Sequence, residues 1–213
     1  EQAYLEYAVG DDFVAKGGLL LAPVGIINEV HEPTTFYGVE RPDVEKNVIP
    51  TTWTVLGLGI SNNVGSDWKF DALIHGGNDT KGGTIRSGRS SYGIDLFTVN
   101  SDGNRFNQNN SSFAATGRAQ YSGVDNVKLG GSLQYQSDMD STTDGGQSGV
   151  LGEAHAIYNK GGFQFIALGT AWNISDVRSE ADNQWGYYLE PSYSWDTAIG
   201  KVGVFGRFSQ LKY

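Results

Sequence analysis

Two guanidiniums stand close together in Ile85-Arg86-Ser87-Gly88-Arg89-Ser90-Ser91, among small hydroxyl residues. Forks of this kind bind an anion bidentately, and Arg86 and Arg89 would do so if their loop folded inward. The plainer reading is a solvated external loop. His31, His75 and His155 are the only imidazole bases. His75 stands near Asp71 and Asp79, and His155 shares a strand face with Glu153. Neither belongs to a nucleophile motif such as G-x-S-x-G, and spacing alone does not make a catalytic dyad. Asp138, Asp140 and Asp144 gather oxygen ligands in one loop without the spacing of an EF-hand. Lys81-Gly82-Gly83-Thr84 lacks the full phosphate-loop pattern. Cysteine is absent, which removes disulfides, zinc-thiolate sites and thiol nucleophiles. The expectation is a non-enzymatic protein with no cofactor, whose charged side chains meet polar solutes.

Those side chains are carried by short segments of alternating apolar and polar residues, the period of a strand with one buried face. Val127, Leu129, Gly131, Leu133 and Tyr135 oppose Asn126, Lys128, Ser132, Gln134 and Gln136. Trp68, Phe70, Ala72 and Ile74 oppose Lys69, Asp71 and His75 in the same way. Ten such segments can be drafted, most near the roughly 9 to 11 residues a tilted strand needs to cross a bilayer. Two of them, Phe13 to Pro23 and Phe163 to Asn173, have apolar residues on both faces, as an inner face covered by an infolded loop would require.

Short and long connections alternate. Gly10 to Asp12, Asn62 to Asp67, Gly123 to Asn126, Lys160 to Gly162 and Asp196 to Lys201 are brief. Val24 to Pro50, Gly77 to Ser111, Ser137 to Gly149 and Ser175 to Gln184 are long. Strict alternation puts the long loops at one end of an up-and-down meander, the pattern of a transmembrane β-barrel. The polar faces would carry Glu6, Lys69, Asp71, Arg118, Lys128, Glu153, His155, Glu190 and Arg207. Charges of both signs on one face of most strands require water, so the expected arrangement is apolar outside and wet inside. Trp53, Trp68, Tyr121, Tyr135, Tyr158, Trp172, Trp185, Tyr187, Tyr193 and Trp195 lie at segment ends, where aromatic girdles would meet the headgroups. A mean hydropathy of -0.35 does not oppose this reading, because only alternate residues would face lipid. A net charge of -9 argues against nucleic acid as a partner.

The first long connection is too apolar for a mobile solvated loop. It reads as an ordered segment lying on the inner wall, or equally as a cap on the rim or a subunit contact. Gly17-Gly18-Leu19-Leu20-Leu21-Ala22-Pro23-Val24-Gly25-Ile26-Ile27-Asn28, His31-Glu32-Pro33, Phe36-Tyr37-Gly38-Val39-Glu40-Arg41 and Ile49-Pro50-Thr51-Thr52-Trp53 surround and form it. Over about residues 13 to 60 this pattern resembles bacterial outer-membrane porins, in particular the phosphate-selective porin O and P family. The resemblance implies a sixteen-stranded barrel assembled as a homotrimer, with residues 1–213 forming one porin domain incomplete at one or both ends. It also implies an outer-membrane location, in contact with lipid and lipopolysaccharide.

The function expected is passive diffusion of small polar or ionic solutes through a water-filled lumen. Glu32, Glu40, Arg41, Lys46, Arg86 and Arg89 are the candidate constriction residues. Lys69, Arg118, Lys128 and Arg207 are the candidate lumen wall. Anion-selective members of the family use many inward Arg and Lys residues, whereas this chain has 15 basic residues against 24 acidic ones. Two other readings stand beside the porin: a structural or adhesive barrel with a plugged lumen, and a soluble all-β carbohydrate-binding module.

Overall fold

The computed structural model describes residues 2–30, 32, 34–50, 52–77, 113–137, 139, 148–175 and 183–212. Among them the regular secondary structure is almost wholly strand. The strands are β1 (Ala3–Val9), β2 (Phe13–Leu21), β3 (Thr54–Val64), β4 (Trp68–Gly76), β5 (Phe113–Val124), β6 (Val127–Gln136), β7 (Gly149–Lys160), β8 (Phe163–Ile174), β9 (Asn183–Thr197), β10 (Gly200–Phe205) and β11 (Phe208–Lys212). A 3-10 turn at Asn28–Val30 and one helical turn, α1 (Val44–Asn47), lie between β2 and β3.

Each strand pairs antiparallel with the next, in the order β1 to β10. β10 and β11 are two parts of one strand. Both pair with β9 in a single register, Phe205 opposite Ser192 and Phe208 opposite Leu189, and the Gly206 N–H donates to Pro191 O between them. The result is a ten-stranded up-and-down sheet, the strand number that the alternation predicts. The short connections are tight turns that need left-handed backbone. Asn126, a residue type that tolerates this region, sits at φ 65 between β5 and β6. Gly162, at φ +85 after β7, brings its α-carbon so close to the β9 backbone that a Cβ would sit 2.3 Å from Ser194 O.

Alternate residues face opposite sides, as the pleat dictates. Leu58, Ile74 and Leu133 are 72%, 65% and 61% exposed, whereas Leu73, Gln134 and Leu151 on the other face are buried. The buried face is concave. Trp53, just before β3, and Trp172 on β8 are not girdle residues as their positions at segment ends suggest: both are buried on this face, 6.3 Å apart centroid to centroid. In a flat sheet five strand spacings would separate them by about 24 Å, so the sheet must curl. Among the described residues β1 does not pair with β10 or β11, so the curled sheet is open rather than a closed barrel.

Candidate functional site

Residues 22–53, the link from β2 to β3, fold back into the concave face. The base of this inserted segment is tied by Asn28. Its Nδ2 donates to Ala22 O (2.8 Å) and Trp53 O (3.2 Å), while its Oδ1 accepts the Trp53 N–H at 2.6 Å. The Ala22 N–H also donates to Trp53 O at 2.9 Å, so both ends of the segment leave the sheet together. Val24, Val44, Val48, Ile49 and Trp53 then pack on Leu20, Val55, Leu73, Leu151, Leu168, Trp172 and Tyr188 of the wall. This apolar contact explains why a long connection carries so many branched aliphatics. It also explains why β2 and β8 are apolar on both faces: one side of each looks outward and the other is covered in part by the segment.

Polar contacts fix the register of segment on wall. The Trp172 indole N–H donates to Val48 O at 3.0 Å, and Ser132 Oγ donates to Pro23 O at 2.8 Å. Glu45 on α1 is 2% exposed. Its Oε2 accepts the N–H groups of Ile26 (2.9 Å) and Ile27 (2.8 Å), and its Oε1 accepts the Tyr188 hydroxyl at 2.7 Å. Burial pushes this carboxyl above its usual range and the nearby Glu153 adds to the rise, against the three hydrogen bonds that favour the charged form. A Cβ at Gly25, whose φ is +76, would meet Glu45 Oε2 at 2.7 Å, so the bend there admits only glycine without displacing the carboxylate.

Arginines hold the two remaining parts of the segment. Arg118 on β5 donates from Nε (2.9 Å) and Nη2 (2.6 Å) to Asp71 Oδ2, and from Nη1 to the Glu29 carboxylate. Arg207, between β10 and β11, donates from Nε to Glu190 Oε2 at 2.5 Å and from Nη2 to Tyr37 O at 2.8 Å. Tyr37 stacks on Phe205 at 5.2 Å, and its hydroxyl oxygen accepts Ser192 Oγ–H at 3.2 Å. A cavity of about 200 Å³ remains between the start of the segment and β1 to β4, lined by Tyr4, Lys16, Leu20, Glu29 and Asp71 among others.

The candidate constriction residues divide. Glu32, Glu40 and Lys46 are exposed on the segment and Arg41 is half-buried. Glu40 Oε2 takes a 2.6 Å ion pair from Lys46 Nζ, and that hydrogen bond holds the Glu40 carboxyl below its usual range. Arg86, Arg89, His31 and the aspartates 138, 140 and 144 lie outside the described residues. Of the wall candidates, Lys69 stands 3.8 Å from Asp71 and Lys128 is exposed, whereas Arg118 and Arg207 are engaged with carboxylates rather than open to solvent. His155 Nδ1 lies 2.6 Å from Glu153 Oε1, and His75 Nε2 lies 2.9 Å from Thr116 Oγ1. Asn28, Glu29, Glu45 and Tyr188 organise the segment without any local sequence signal. Their partners are remote in sequence, 143 positions away for Glu45 and Tyr188.

No family model matches the chain. Over 60 residues it is 57% identical to an uncharacterized protein of Aquifex aeolicus (strain VF5), a stretch that is 28% of this chain and 14% of that relative. The likeness thus spans a small part of the relative's length.

Proposed function

We propose that the chain is part of an outer-membrane porin, a water-filled channel for passive diffusion of small polar or ionic solutes. The observation that carries this reading is the pairing of an exposed apolar outward face with a concave face of mixed polar and apolar residues that holds an ordered segment. Leu58, Ile74, Leu133, Val204 and Phe208 project outward from strands across the sheet, all well exposed. Aromatic side chains gather at both ends of this face. Trp68 packs on Phe70 and Tyr121, and Tyr193 on Trp195, near the short turns; Phe113 packs on Tyr135, and Trp185 on Tyr187, near the long connections. Trp185 and Trp195 are ten residues apart on β9, about 33 Å along a strand. At a tilt of about 40° this projects to about 25 Å, the height of the apolar band of an outer-membrane barrel. A soluble carbohydrate-binding module would gain nothing from so wide an exposed apolar surface.

The open edges at β1 and β10–β11 would be closed by further strands, in keeping with the larger barrel that the resemblance implies. Assembly as a homotrimer would use a smooth outward patch, and Gly117, Ala119, Gly131, Ala154 and Ala167 supply one across β5 to β8. In this channel the inserted segment narrows the lumen, with Glu32, Glu40, Arg41 and Lys46 on its surface. Passage of anions, phosphate included, would rest on Arg86 and Arg89, because Arg118 and Arg207 already hold carboxylates. The tight apolar packing of the segment on the wall favours one second reading, a structural barrel with a plugged lumen.

Single-channel recording of the full-length protein in a planar bilayer under a salt gradient separates the two. Discrete open steps support the porin, and a reversal potential directed to anions that Arg86→Ala and Arg89→Ala abolish supports anion passage. A correctly inserted barrel that passes no current would overturn the porin in favour of the plug.

A further inference from the structure

We infer that Arg118 and Arg207 are positioning residues that clamp the inserted segment at two places and so set the size limit of the channel, rather than residues that bind the permeant solute. This rests on the channel reading above. Both sites are built to one plan. Each guanidinium is held from behind by a carboxylate of the neighbouring strand, Asp71 for Arg118 and Glu190 for Arg207. Each then directs its remaining donors at the segment. Arg118 Nη1 reaches the Glu29 carboxylate, while Arg207 Nη2 and Nη1 reach Tyr37 O (2.8 Å) and Glu40 O (3.4 Å).

The geometry leaves little for a solute. An arginine that recognises a passing anion must offer a free edge of its fork. Here all three nitrogens of both guanidiniums donate to protein oxygens. The side chain of Arg118 is 2% exposed and its charge is met by two carboxylates, so no net positive charge faces the lumen there. The strand is interrupted at Gly206 and Arg207, between β10 and β11, opposite Pro191, which accepts the Gly206 N–H but has no N–H of its own for the ladder. The flanking Phe205 carries both the Tyr37 ring and the Arg207 guanidinium, the latter 5.8 Å from the ring centroid. Lysine could keep the charge at either place but not the planar fork that joins wall to segment.

The test compares full-length wild type with Arg207→Ala, Arg207→Lys, Glu29→Gln and a reference, Lys160→Ala at the short turn after β7, in planar bilayers. Reversal potential and the exclusion size for graded polyethylene glycols are recorded for each. Glu29→Gln loosens the Arg118 clamp from the segment side and leaves the Arg118–Asp71 pair in the wall intact. The expected result is that both Arg207 variants and Glu29→Gln admit larger polymers. Occupancy of a larger conductance state rises about tenfold, the scale of one charge-assisted hydrogen bond, with the sign of the reversal potential unchanged and Lys160→Ala like wild type. An unchanged exclusion size with a reversal potential shifted toward cations in Arg207→Ala would overturn the inference and make Arg207 a solute-binding residue. Absence of current in wild type would overturn the channel reading instead. The clamp is then decided by protease cleavage within residues 34–41: faster cutting in Arg207→Ala than in wild type supports it, and equal rates sink it.

Discussion

Glu45 shows how much of the concave face is decided by one side chain. Three donors converge on its carboxylate, two from its own segment and one from the wall. Burial still lifts its proton affinity above that of a solvated glutamate. A group whose folded pKa is raised contributes stability that is complete below its unfolded value, near 4.3 for Glu, and is lost as pH rises through the folded value. Docking of the segment should therefore weaken as pH climbs from about 4 through the raised pKa. Glu45→Gln should flatten that dependence while keeping the segment in place, because its amide oxygen can accept the two backbone N–H groups. Protease resistance of residues 34–50 in detergent between pH 4 and 8 reads the effect, and a wild-type profile with no pH dependence would contradict it. None of this was legible in the sequence, where Glu45 is one more acid in a stretch of mixed charge. Arg118 and Arg207 were legible as inward charges, but their engagement with Asp71 and Glu190 depends on which strands lie side by side.

At the scale of elements, period-two patterning located the ten strands well because one face of each meets a different medium from the other. Turn chemistry did the rest, since glycine and asparagine mark the positions that need positive φ. The β2 and β8 segments resisted assignment of a face for a reason now visible. Leu20, like Leu168 and Trp172, turns to the inserted segment, while Leu19 and Leu21 lie on the opposite face of β2, so both faces are apolar. The segment itself was legible as ordered from its aliphatic content, but its route was not, because its contacts lie on strands more than a hundred residues away. Its anchor is the Trp53–Trp172 contact, with both indoles 2% exposed or less. Trp172→Ala should cost about 3–5 kcal/mol, the scale of removing a buried aromatic from a packed core. Thermal unfolding in detergent checks this. Trp172→Phe should recover most of the packing but not the hydrogen bond to Val48 O, and so fall between wild type and alanine.

For the whole molecule, the medium that meets each face of the curled sheet decides its function. If lipid covers the outer face, Leu133→Arg should cost up to about 2–4 kcal/mol, the scale of a cation placed at mid-membrane depth. Lys128→Gln, at an exposed site on the concave face, should change stability by no more than about 0.5 kcal/mol. Folding titrations into phospholipid vesicles would compare the two, and equal effects would contradict a lipid-facing surface. A more direct test uses introduced thiols, since residues 1–213 contain no cysteine and the cysteine-free background need only be checked in the rest of the full-length protein. Single substitutions Leu129→Cys, Leu133→Cys and Tyr135→Cys on the outward face, and Lys69→Cys, Gln120→Cys and Lys128→Cys on the concave face, would be made in the full-length protein in vesicles. Each would be labelled with a charged, water-soluble thiol reagent, or with a fluorophore read against lipid-borne quenchers. The account predicts quenching by lipid and slow aqueous labelling at 129, 133 and 135, with fast labelling and no quenching at 69, 120 and 128. Fast aqueous labelling at all six positions, with no quenching anywhere, would contradict the membrane-spanning channel.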